Sequence, residues 1–462
     1  MSKLFQTISP VDGSVYAERF LSDTSDIDAV LSTAVKAQVA WAKVDLDERQ
    51  CILLKAVEAF ASKADDIARE ITSQMGRPIS QTPGEVKGFE ERARHMISIA
   101  PDTLRDITPN PQEGIDRFIR RVPLGVVAIL APWNYPYLTA VNGIIPALMA
   151  GNAVVLKPSH QTPLCAERLS EAFQTARLPE GVFQYLHLSH ENAQYFMSDT
   201  RVDYVNFTGS VAGGRAVQKA ISSKFIGSGL ELGGKDPAYV RADADIGLSV
   251  ESLVDGAFFN SGQSCCGVER IYVHEDVFDA FVLGFVELTR CYKLGDPTDP
   301  GTNLGPLVRT QAADFVRGQI SEAVSMGAKA LIDPSSFPAD QDGTPYLAPQ
   351  VLVNVNHTMG VMMQESFGPV VGIQKVSSDG EALNLMNDSA FGLTASIWTR
   401  DESAALSMGE HIQTGTVFMN RCDYLDPALA WTGVKNSGRG CTLSRVGYES
   451  LTRPKSFHLK RI

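Results

Sequence analysis

Val126-Val127-Ala128-Ile129-Leu130 is a short apolar run, and Ala153-Val154-Val155-Leu156-Lys157 is a second one that follows a helix predicted over 139–149. Further strands are predicted at 182–186 and 202–207. Short apolar strands that alternate with helices are typical of a parallel sheet covered on both faces. The pattern therefore predicts a Rossmann-like α/β nucleotide domain.

Helical segments and a charged strand precede this region. Apolar residues that recur every three or four positions predict two amphipathic helices over 25–72, and another helix is predicted around 85–99. None of these helices shows a residue pattern that indicates catalysis. The segment 115–122 alternates like an exposed strand, whose charges would discourage aggregation at a sheet edge.

Size and charge restrict the class of protein. A chain of 462 residues, 44% of them hydrophobic, can bury a large core in two or three subdomains. The formal net charge of −12 and a pI near 5.2 argue against nucleic acid or an anionic membrane surface as a partner. A dianionic dinucleotide would need local basic groups or helix N-termini to hold it.

Neither a membrane segment nor a metal site is predicted. No apolar export segment follows Met1-Ser2-Lys3, and no apolar run approaches the ~18 residues that a membrane span needs. The eight histidines show no ligand spacing, and the cysteines form no C-x-x-C pair. We expect a soluble cytoplasmic protein with reduced thiols and no metal. The seven cysteines are at positions 51, 165, 265, 266, 291, 422 and 441.

Two stretches carry candidate catalytic groups. In 258–270, Cys265 and Cys266 lie among small and polar residues, where a thiol can act as a nucleophile if its proton is removed. The alternative is a pair of buried structural thiols. Glu231 lies between two leucines ahead of Gly233-Gly234, where burial would raise its pKa and suit it to act as a general base. The alternative is a turn residue.

Two turns at strand ends are candidate binding elements. In Pro132-Trp133-Asn134-Tyr135-Pro136, the prolines stiffen a turn that can aim the Asn134 amide at a developing negative charge, or the turn is an Asx turn with Trp133 as packing. The G-x-G-x-x-G fingerprint is absent. In its place, Phe207-Thr208-Gly209-Ser210 opens a helix whose N-terminus can bind phosphate, although Ser210 can equally be a plain N-cap.

Together the stretches match a known signature. Leu-Glu-Leu-Gly-Gly-Lys with Glu231 and Gly-Gln-Ser-Cys with Cys265, 34 residues apart, resemble the paired motifs of the aldehyde dehydrogenase superfamily. Six motifs occur in family order, from about residue 8 to the tail. The resemblance implies that an aldehyde is oxidised to a carboxylic acid with NAD(P)+. Cys265 would be the nucleophile, Asn134 and the Cys265 amide would hold the oxyanion, and Glu231 would activate water to hydrolyse a thioester.

The resemblance also implies a set of cofactor contacts. Family members often carry a glutamate three residues after the lysine that ends the second strand, and His160 replaces it here. A carboxylate would repel a 2′-phosphate and histidine would not, so we expect NADP+ to be at least tolerated beside NAD+. Glu365 would hold the nicotinamide ribose, unless 365–369 is only a turn before a strand. The implied contacts are Trp133, Lys157, Ser159, His160, Gly209, Ser210, Glu365 and Phe367.

The substrate is less well defined by the sequence. Lining by Trp133, Tyr137, Phe259 and the segment 420–425 would suit medium-sized alkyl or aryl aldehydes. Arg421 would recruit a carboxylate-bearing semialdehyde, or it forms an ordinary salt bridge. Trp431 is placed near the substrate mouth or a hinge.

The predicted organisation has three parts. A dinucleotide-binding domain covers 1–114 and 126–232, and an α/β catalytic domain covers 233–440. The resemblance implies a β flap of 115–125 and 441–462, in which 455–460 pairs with the strand at 115–122 and which builds a homodimer or homotetramer. One alternative is a CoA-acylating aldehyde dehydrogenase, but those enzymes usually lack the glutamate. A cysteine hydrolase would need a histidine in a recognisable motif. A catalytically silent structural or binding homologue is the alternative of another class.

Overall fold

The chain begins with an antiparallel ribbon that is followed by helices, and a computed structural model describes residues 3–461. A two-residue break at Ser62 and Lys63 divides the helical segment 25–72, so that three helices occupy it where two were predicted. No glycine or proline marks this break, and the apolar spacing continues across it. These elements are β1 (Leu4–Ile8), β2 (Val15–Phe20), α1 (Thr24–Trp41), α2 (Leu46–Ala61), α3 (Ala64–Met75) and α4 (Pro83–Leu104).

The predicted nucleotide sheet follows. Its parallel strands lie in the order β6-β5-β4-β7-β8. In sheets with this order, ligands bind beyond the carboxyl ends of the strands, where the order reverses. The elements are β3 (Ile115–Pro123), β4 (Val126–Leu130), α5 (Pro136–Met149), β5 (Ala153–Lys157), α6 (Leu164–Thr175), β6 (Phe183–Tyr185), α7 (His190–Ser198), β7 (Val202–Thr208), α8 (Val211–Ile221) and β8 (Gly227–Glu231).

Both faces of this sheet are buried, as its continuous apolar strands predict. Val127 and Ile129 of β4 pack in the core that includes α2, α4, α5 and α6. Ala128 and Leu130 alternate with them and pack in the core of the opposite face, which includes α1, α7 and α8. Each fully buried valine, leucine or isoleucine contributes about 1.5–3 kcal/mol. The strand ends are therefore held on a rigid layer.

A second α/β unit is built on a seven-stranded sheet. Its strand order is β11-β12-β13-β10-β9-β14-β15, and all neighbours are parallel except β11 and β12. The elements are β9 (Asp236–Val240), α9 (Ile246–Phe258), β10 (Val268–His274), α10 (Phe278–Thr289), α11 (Thr310–Ser325), β11 (Lys329–Ala330), β12 (Gln350–Val353), α12 (Gly360–Met363), β13 (Val370–Val376), α13 (Asp379–Asn387), β14 (Thr394–Trp398), α14 (Glu402–Gly409) and β15 (Thr416–Met419). The predicted α/β fold class is confirmed.

The C-terminal part returns to the first sheet. β16 (Gly438–Arg439) pairs antiparallel with β8. α15 (Ser444–Glu449) packs on α4, and the Tyr448 hydroxyl donates to the Met96 carbonyl at 2.6 Å. Within the segment 441–462, the part that pairs with β3 is β17 (Thr452–Lys460), with Lys455 opposite Arg120. The expected pairing of these two segments is observed, but residues 441–451 of the expected flap belong to the first core instead.

Across residues 3–461, no helix combines the length and the apolar character required to cross a bilayer. Within the same range, no group of three histidine, cysteine, aspartate or glutamate side chains is placed to hold a metal ion.

Candidate active site

The Gly-Gly turn after β8 brings the two principal motifs together. A Cβ at Gly234 would lie 2.3 Å from the Cys265 carbonyl oxygen, and one at Gly233 would lie 2.4 Å from a carboxylate oxygen of Glu365. Only glycine permits such close approach. The loop that carries Cys265 can therefore pack directly against the end of the strand that carries Glu231.

A left-handed turn presents the cysteine loop. Asn260 and Ser261 have φ angles of 51° and 56°, and Gly262 has a φ of 72°. Left-handed backbone costs an ordinary residue about 1–2 kcal/mol. The turn is held by the Asn260 amide, which donates to Gln81 at 3.1 Å, and by the Ser261 hydroxyl, which donates to the Gly305 carbonyl at 2.8 Å. Strain that the surroundings hold in place is typical of functional sites.

Cys265 and Glu231 line the same cavity, whose volume is about 410 Å³. Helix α4 and the first turns of α5 form one wall, and the segment 423–425 with Trp431 closes the other. Apolar and charged groups are mixed in the lining. Its residues are Arg77, Gln81, Gly84, Glu85, Lys87, Gly88, Glu91, Arg92, Tyr135, Leu138, Thr139, Asn142, Glu231, Asp255, Phe259, Ser264, Cys265, Cys266, Asp423, Tyr424, Leu425 and Trp431.

The two adjacent cysteines differ in their surroundings. Cys265 is half-buried, whereas Cys266 is only 3% exposed and its thiol donates to Asp423 at 3.0 Å. The contact with Cys265, burial and the Asp423 carboxylate together hold the pKa of Cys266 well above its usual value. Cys266 is therefore a protonated, structural thiol. Of the pair, Cys265 is the one suited to attack a substrate.

Two threonine hydroxyls hold the carboxylate of Glu231 in place. Burial raises its pKa, and hydroxyl donors from Thr442 at 2.6 Å and Thr208 at 3.1 Å oppose that rise. A raised pKa suits a general base that works near neutral pH. The two threonines also fix the direction of the carboxylate. Neither was identified from the sequence, because Thr442 reaches Glu231 only through the C-terminal return of the chain.

Asn134 lies in a turn that hydrogen bonds to neighbouring groups hold in place. Its side-chain Nδ2 donates to the Gln263 carbonyl at 3.1 Å, which ties the turn to the cysteine loop. The backbone carbonyl of Asn134 accepts from Arg77, and Arg77 forms a fully buried ion pair with Glu85 at 2.6 Å. Glu85 also accepts from the Tyr137 amide at 2.9 Å, at the N-terminus of α5, where a carboxylate is favoured. Asn134 is buried beside the cavity and is not part of its lining.

The phosphate end of the predicted cofactor site lies beyond β5 and β7. The Ser210 hydroxyl accepts from the Gly213 amide at 3.2 Å, so the N-cap interpretation of Ser210 holds. Capping leaves the first amides of α8 as donors for a phosphate. At Gly209, a Cβ would lie 2.7 Å from the Phe207 ring. Lys157 ends β5 and forms no ion pair with any described residue, and burial lowers its pKa to about 8.

His160 does not present a charge to this cleft. Its ring stacks on Phe5 with centroids 4.4 Å apart, and its Nε2 is 2.9 Å from the Leu188 carbonyl. Burial, followed by nearby Lys157, lowers the pKa of His160 to about 4, so the ring is neutral at pH 7. Ser159, in the same turn, accepts from the Gln161 amide at 3.2 Å.

The nicotinamide end of the predicted site is built by 365–367. Glu365 accepts from the Gly234 amide at 2.8 Å, and burial raises its pKa to about 7. Phe367 has a left-handed φ of 51°, and its ring meets that of Trp133 edge to face at 5.6 Å. The amide of Phe367 donates to Glu269, which is paired with buried Lys235 at 2.5 Å. Free basic and amide donors at one end and a fixed aromatic ring at the other fit a dinucleotide.

The structure corrects two of the predicted substrate contacts, Tyr137 and Trp133. Tyr137 is 1% exposed and packs on Phe60 at 5.0 Å in the helical core, because the first turn of α5 directs it toward α2. Tyr135 lines the cavity instead. Trp133 lies against Phe367 and outside the lining.

Arg421 is also corrected. It is exposed, and its guanidinium lies 3.5 Å from the ring centroid of Tyr424, outside the cavity. Phe259 and Trp431 do line the cavity, as do Asp423, Tyr424 and Leu425 of the expected segment. Of the two arginines in the lining, Arg77 is paired with Glu85, and Arg92 of α4 lies where the sequence showed only apolar spacing.

The fold and the site together define a class of protein. A dinucleotide-type sheet that faces a thiol and a buried carboxylate is the arrangement of an oxidoreductase that uses a cysteine nucleophile. The family model named Aldehyde dehydrogenase family matches residues 1–457, and the chain belongs to that family. The predicted enzyme class, an NAD(P)-dependent aldehyde dehydrogenase, is confirmed.

Relatives align over nearly the whole chain. The 3,6-anhydro-alpha-L-galactose dehydrogenase of Streptomyces coelicolor is 34% identical over 458 residues, which cover 98% of this chain and 92% of that protein. The succinate semialdehyde dehydrogenase [NAD(P)+] Sad of Escherichia coli is 32% identical over 441 residues, with 96% and 95% covered. The solved succinic semialdehyde dehydrogenase of Streptococcus pyogenes with NADP+ has a TM-score of 0.94 at 29% identity, covering 99% of this chain and 100% of that one.

Proposed function

We propose that this protein oxidises aldehydes to carboxylic acids through a thioester on Cys265 that water, activated by Glu231, hydrolyses. The observation that carries the proposal is that Cys265 and Glu231 line one cavity, the thiol half-buried and the carboxylate with a raised pKa. The cofactor supplies the hydride acceptor when it is bound. The protein supplies the nucleophile, the base and the fixed dipoles.

The residues act in sequence on the substrate. The Cys265 thiolate attacks the aldehyde carbon, and the second N–H of Asn134 Nδ2, with the Cys265 amide, stabilises the oxyanion. Loss of hydride leaves an acyl group on sulfur. Glu231 takes a proton from water, the hydroxide attacks the acyl carbon, and the carboxylic acid and the Cys265 thiolate are released. The ties of Asn134 to Gln263 and of Glu231 to two threonines keep both groups in place.

Hydrolysis is favoured over transfer to CoA because Glu231 is present and held by two hydroxyl donors. The test uses purified enzyme, NADP+ and butanal, with and without CoA. We expect butanoic acid in both reactions and NADPH formation at 340 nm in equal amount. Butanoyl-CoA as the main product would replace hydrolysis by acyl transfer, and no NADPH from any of a panel of alkyl, aryl and carboxylated aldehydes would reject the oxidation itself.

We propose that both NADP+ and NAD+ serve as cofactor, with Trp133, Lys157, Ser159, Gly209, Ser210, Glu365 and Phe367 forming the site. NADP+ is supported by Lys157, which forms no ion pair with any described residue, by a neutral His160 and by the absence of a carboxylate at position 160. Related enzymes are named for NADP+ or for NAD(P)+.

The substrate class proposed is a medium-sized aldehyde, including semialdehydes. A cavity of about 410 Å³ with Phe259, Tyr424 and Trp431 in its lining supports a substrate of this size. Relatives named succinate semialdehyde dehydrogenase support the semialdehyde.

For the assembly, we propose a cytoplasmic homodimer or homotetramer built through the β3–β17 ribbon. The stacked rings of Phe118 and Phe457, 4.5 Å apart, stiffen this ribbon outside both main sheets. Residues 3–114 and 126–232 would hold the cofactor and supply Asn134 and Glu231, and residues 233–440 would supply Cys265. Analytical ultracentrifugation checks the proposal, and a monomer at micromolar concentration would contradict it.

A further inference from the structure

Arg92 is a cation without an anionic partner inside the aldehyde cavity. The residue is 8% exposed, and α4 places it in the lining. Its Nη1 donates to the Leu138 carbonyl at 2.6 Å and lies 3.4 Å from the Asn142 side-chain oxygen. Its Nε and Nη2 donate to no residue in the part of the chain that the structure describes. Guanidinium stays charged at neutral pH, and a buried charge without a partner is costly.

Asn142 adds an independent sign of a missing ligand. Asn142 is 1% exposed, lines the cavity, and its Nδ2 is buried without any hydrogen-bond partner among the described residues. Buried amide donors are normally satisfied. The Asn142 side-chain oxygen lies 3.4 Å from Arg92 Nη1, so the two side chains are neighbours in the lining. An oxygen anion, and a carboxylate in particular, satisfies such a pair of donors.

Three of the five acids in the lining are held by protein donors, and the other two, Glu91 and Asp255, are exposed. Glu231 accepts from Thr208 and Thr442, Asp423 accepts from Ser264 and Cys266, and Glu85 is paired with Arg77. Burial raises the pKa of Asp423 and of Glu231, and hydrogen bonds from their protein donors oppose that rise. Each of these three groups is bound by protein donors, whereas Arg92 and Asn142 keep free donors.

The contacts of Arg92 place it along α5. Leu138 and Asn142 are four residues apart on one face of α5, about 6 Å along the helix, and Asn134 lies just before its first turn. The turn that carries Asn134 and the neighbours of Arg92 therefore lie along one helix.

We propose that Arg92 and Asn142 form a carboxylate subsite that makes short ω-carboxyl aldehydes, such as succinic semialdehyde, the preferred substrates. This inference rests on the proposed aldehyde oxidation. It replaces exposed Arg421 as the group that recognises a semialdehyde. The guanidinium binds the carboxylate in the ground state and the transition state alike, so its loss acts mainly on KM.

The test compares kcat/KM for succinic semialdehyde with that for its methyl ester, which differ only in charge. We expect the wild-type enzyme to prefer the acid, and R92Q to lower the acid-to-ester ratio by about 100-fold, since hydrogen bonds to charged groups contribute about 1.5–3 kcal/mol. R92K keeps the charge and should restore part of the ratio. The matched control R421Q, an exposed arginine outside the cavity, should leave the ratio unchanged.

Three results would overturn the subsite. The first is a wild-type enzyme that prefers the ester or 4-aminobutanal to the acid. The second is an R92Q variant that lowers kcat/KM for acid and ester equally, as a purely structural role predicts. The third is a loss of the ratio in R421Q alone. Turnover of butanal with NADP+ in any of these cases would leave the proposed oxidation intact, so the two failures can be told apart.

Discussion

The proposed reaction centre and Lys157 of the proposed cofactor cleft differ in how their polar groups are held. Around Cys265, the working groups are held by protein partners: Asn134 is tied to Gln263, and Glu231 accepts from two threonines. Beyond β5 and β7, Lys157 has no ion-pair partner among the described residues. We infer that protein hydrogen bonds fix the groups proposed for the chemistry before the substrate binds. Lys157, which is proposed to bind the cofactor, keeps its donors free of ion pairs with described residues.

This difference predicts two kinds of defect. Substitutions at the reaction centre should lower turnover with NAD+ and NADP+ alike. Substitutions in the cleft should change the choice between the two cofactors and leave the chemistry intact.

The largest effect is expected from Cys265→Ala. Removal of the nucleophile should lower kcat by about 10⁴-fold or more with either cofactor. The measurement is NAD(P)H formation at 340 nm with butanal. The matched control is Cys266→Ala, which removes the protonated neighbouring thiol and should keep measurable turnover. An equal loss of kcat in both variants would contradict the inference, drawn from burial, that Cys265 and not Cys266 is the nucleophile.

Asn134→Ala should give the next largest loss. One missing oxyanion donor typically costs about 10²–10³ in kcat, and the buried Arg77–Glu85 pair should keep the turn folded. Circular dichroism checks the fold, and single-turnover kinetics with each cofactor checks the rate. A loss of less than about threefold would remove Asn134 from the oxyanion site.

His160→Glu tests whether the proposed cofactor cleft sets the choice between NADP+ and NAD+. A carboxylate beside Lys157 would repel a 2′-phosphate, so kcat/KM for NADP+ should fall by about 10- to 100-fold while the value for NAD+ changes less. His160→Gln is the neutral control and should keep the wild-type ratio. An NADP+/NAD+ ratio that is the same in His160→Glu and wild type would place the 2′-phosphate elsewhere.

The smallest effect is a shift in pH dependence. Protonation of Glu231 removes the base, so hydrolysis should decline as the pH falls through its raised pKa. The Thr442 hydroxyl opposes that rise, and Thr442→Val should move the acidic limb of the kcat profile to higher pH. Thr208→Val, which removes a longer hydrogen bond, should move it less. A limb that moves to lower pH would contradict this role for the hydroxyls.

Local sequence patterns predicted the strands well, but they missed a helix break and the direction of one side chain. β4 and β5 have the predicted bounds because their residues are apolar on both faces. The break between α2 and α3 was missed because Ser62 and Lys63 do not interrupt helical spacing. Tyr137 was placed in the tunnel because a turn sequence does not reveal which neighbour of Pro136 faces the core.

The site was predictable only where a motif carries its own chemistry. Cys265 and Glu231 have such motifs, and the close approach at Gly234 shows why they occur together. Arg92 and Thr442 have none. Their place in the site depends on how α4 packs on α5 and on how the C-terminal segment returns to β8, and neither contact leaves a local pattern.

The central claim is that one thiol carries the acyl group and one carboxylate removes it. The direct measurement uses Glu231→Gln with butanal and NADP+, quenched in acid, followed by peptide mass spectrometry of the segment that contains both cysteines. We predict one NADPH per active site and a butanoyl group on Cys265, located by fragmentation. A butanoyl group on Cys266, or steady turnover with no acylated peptide, would contradict the account.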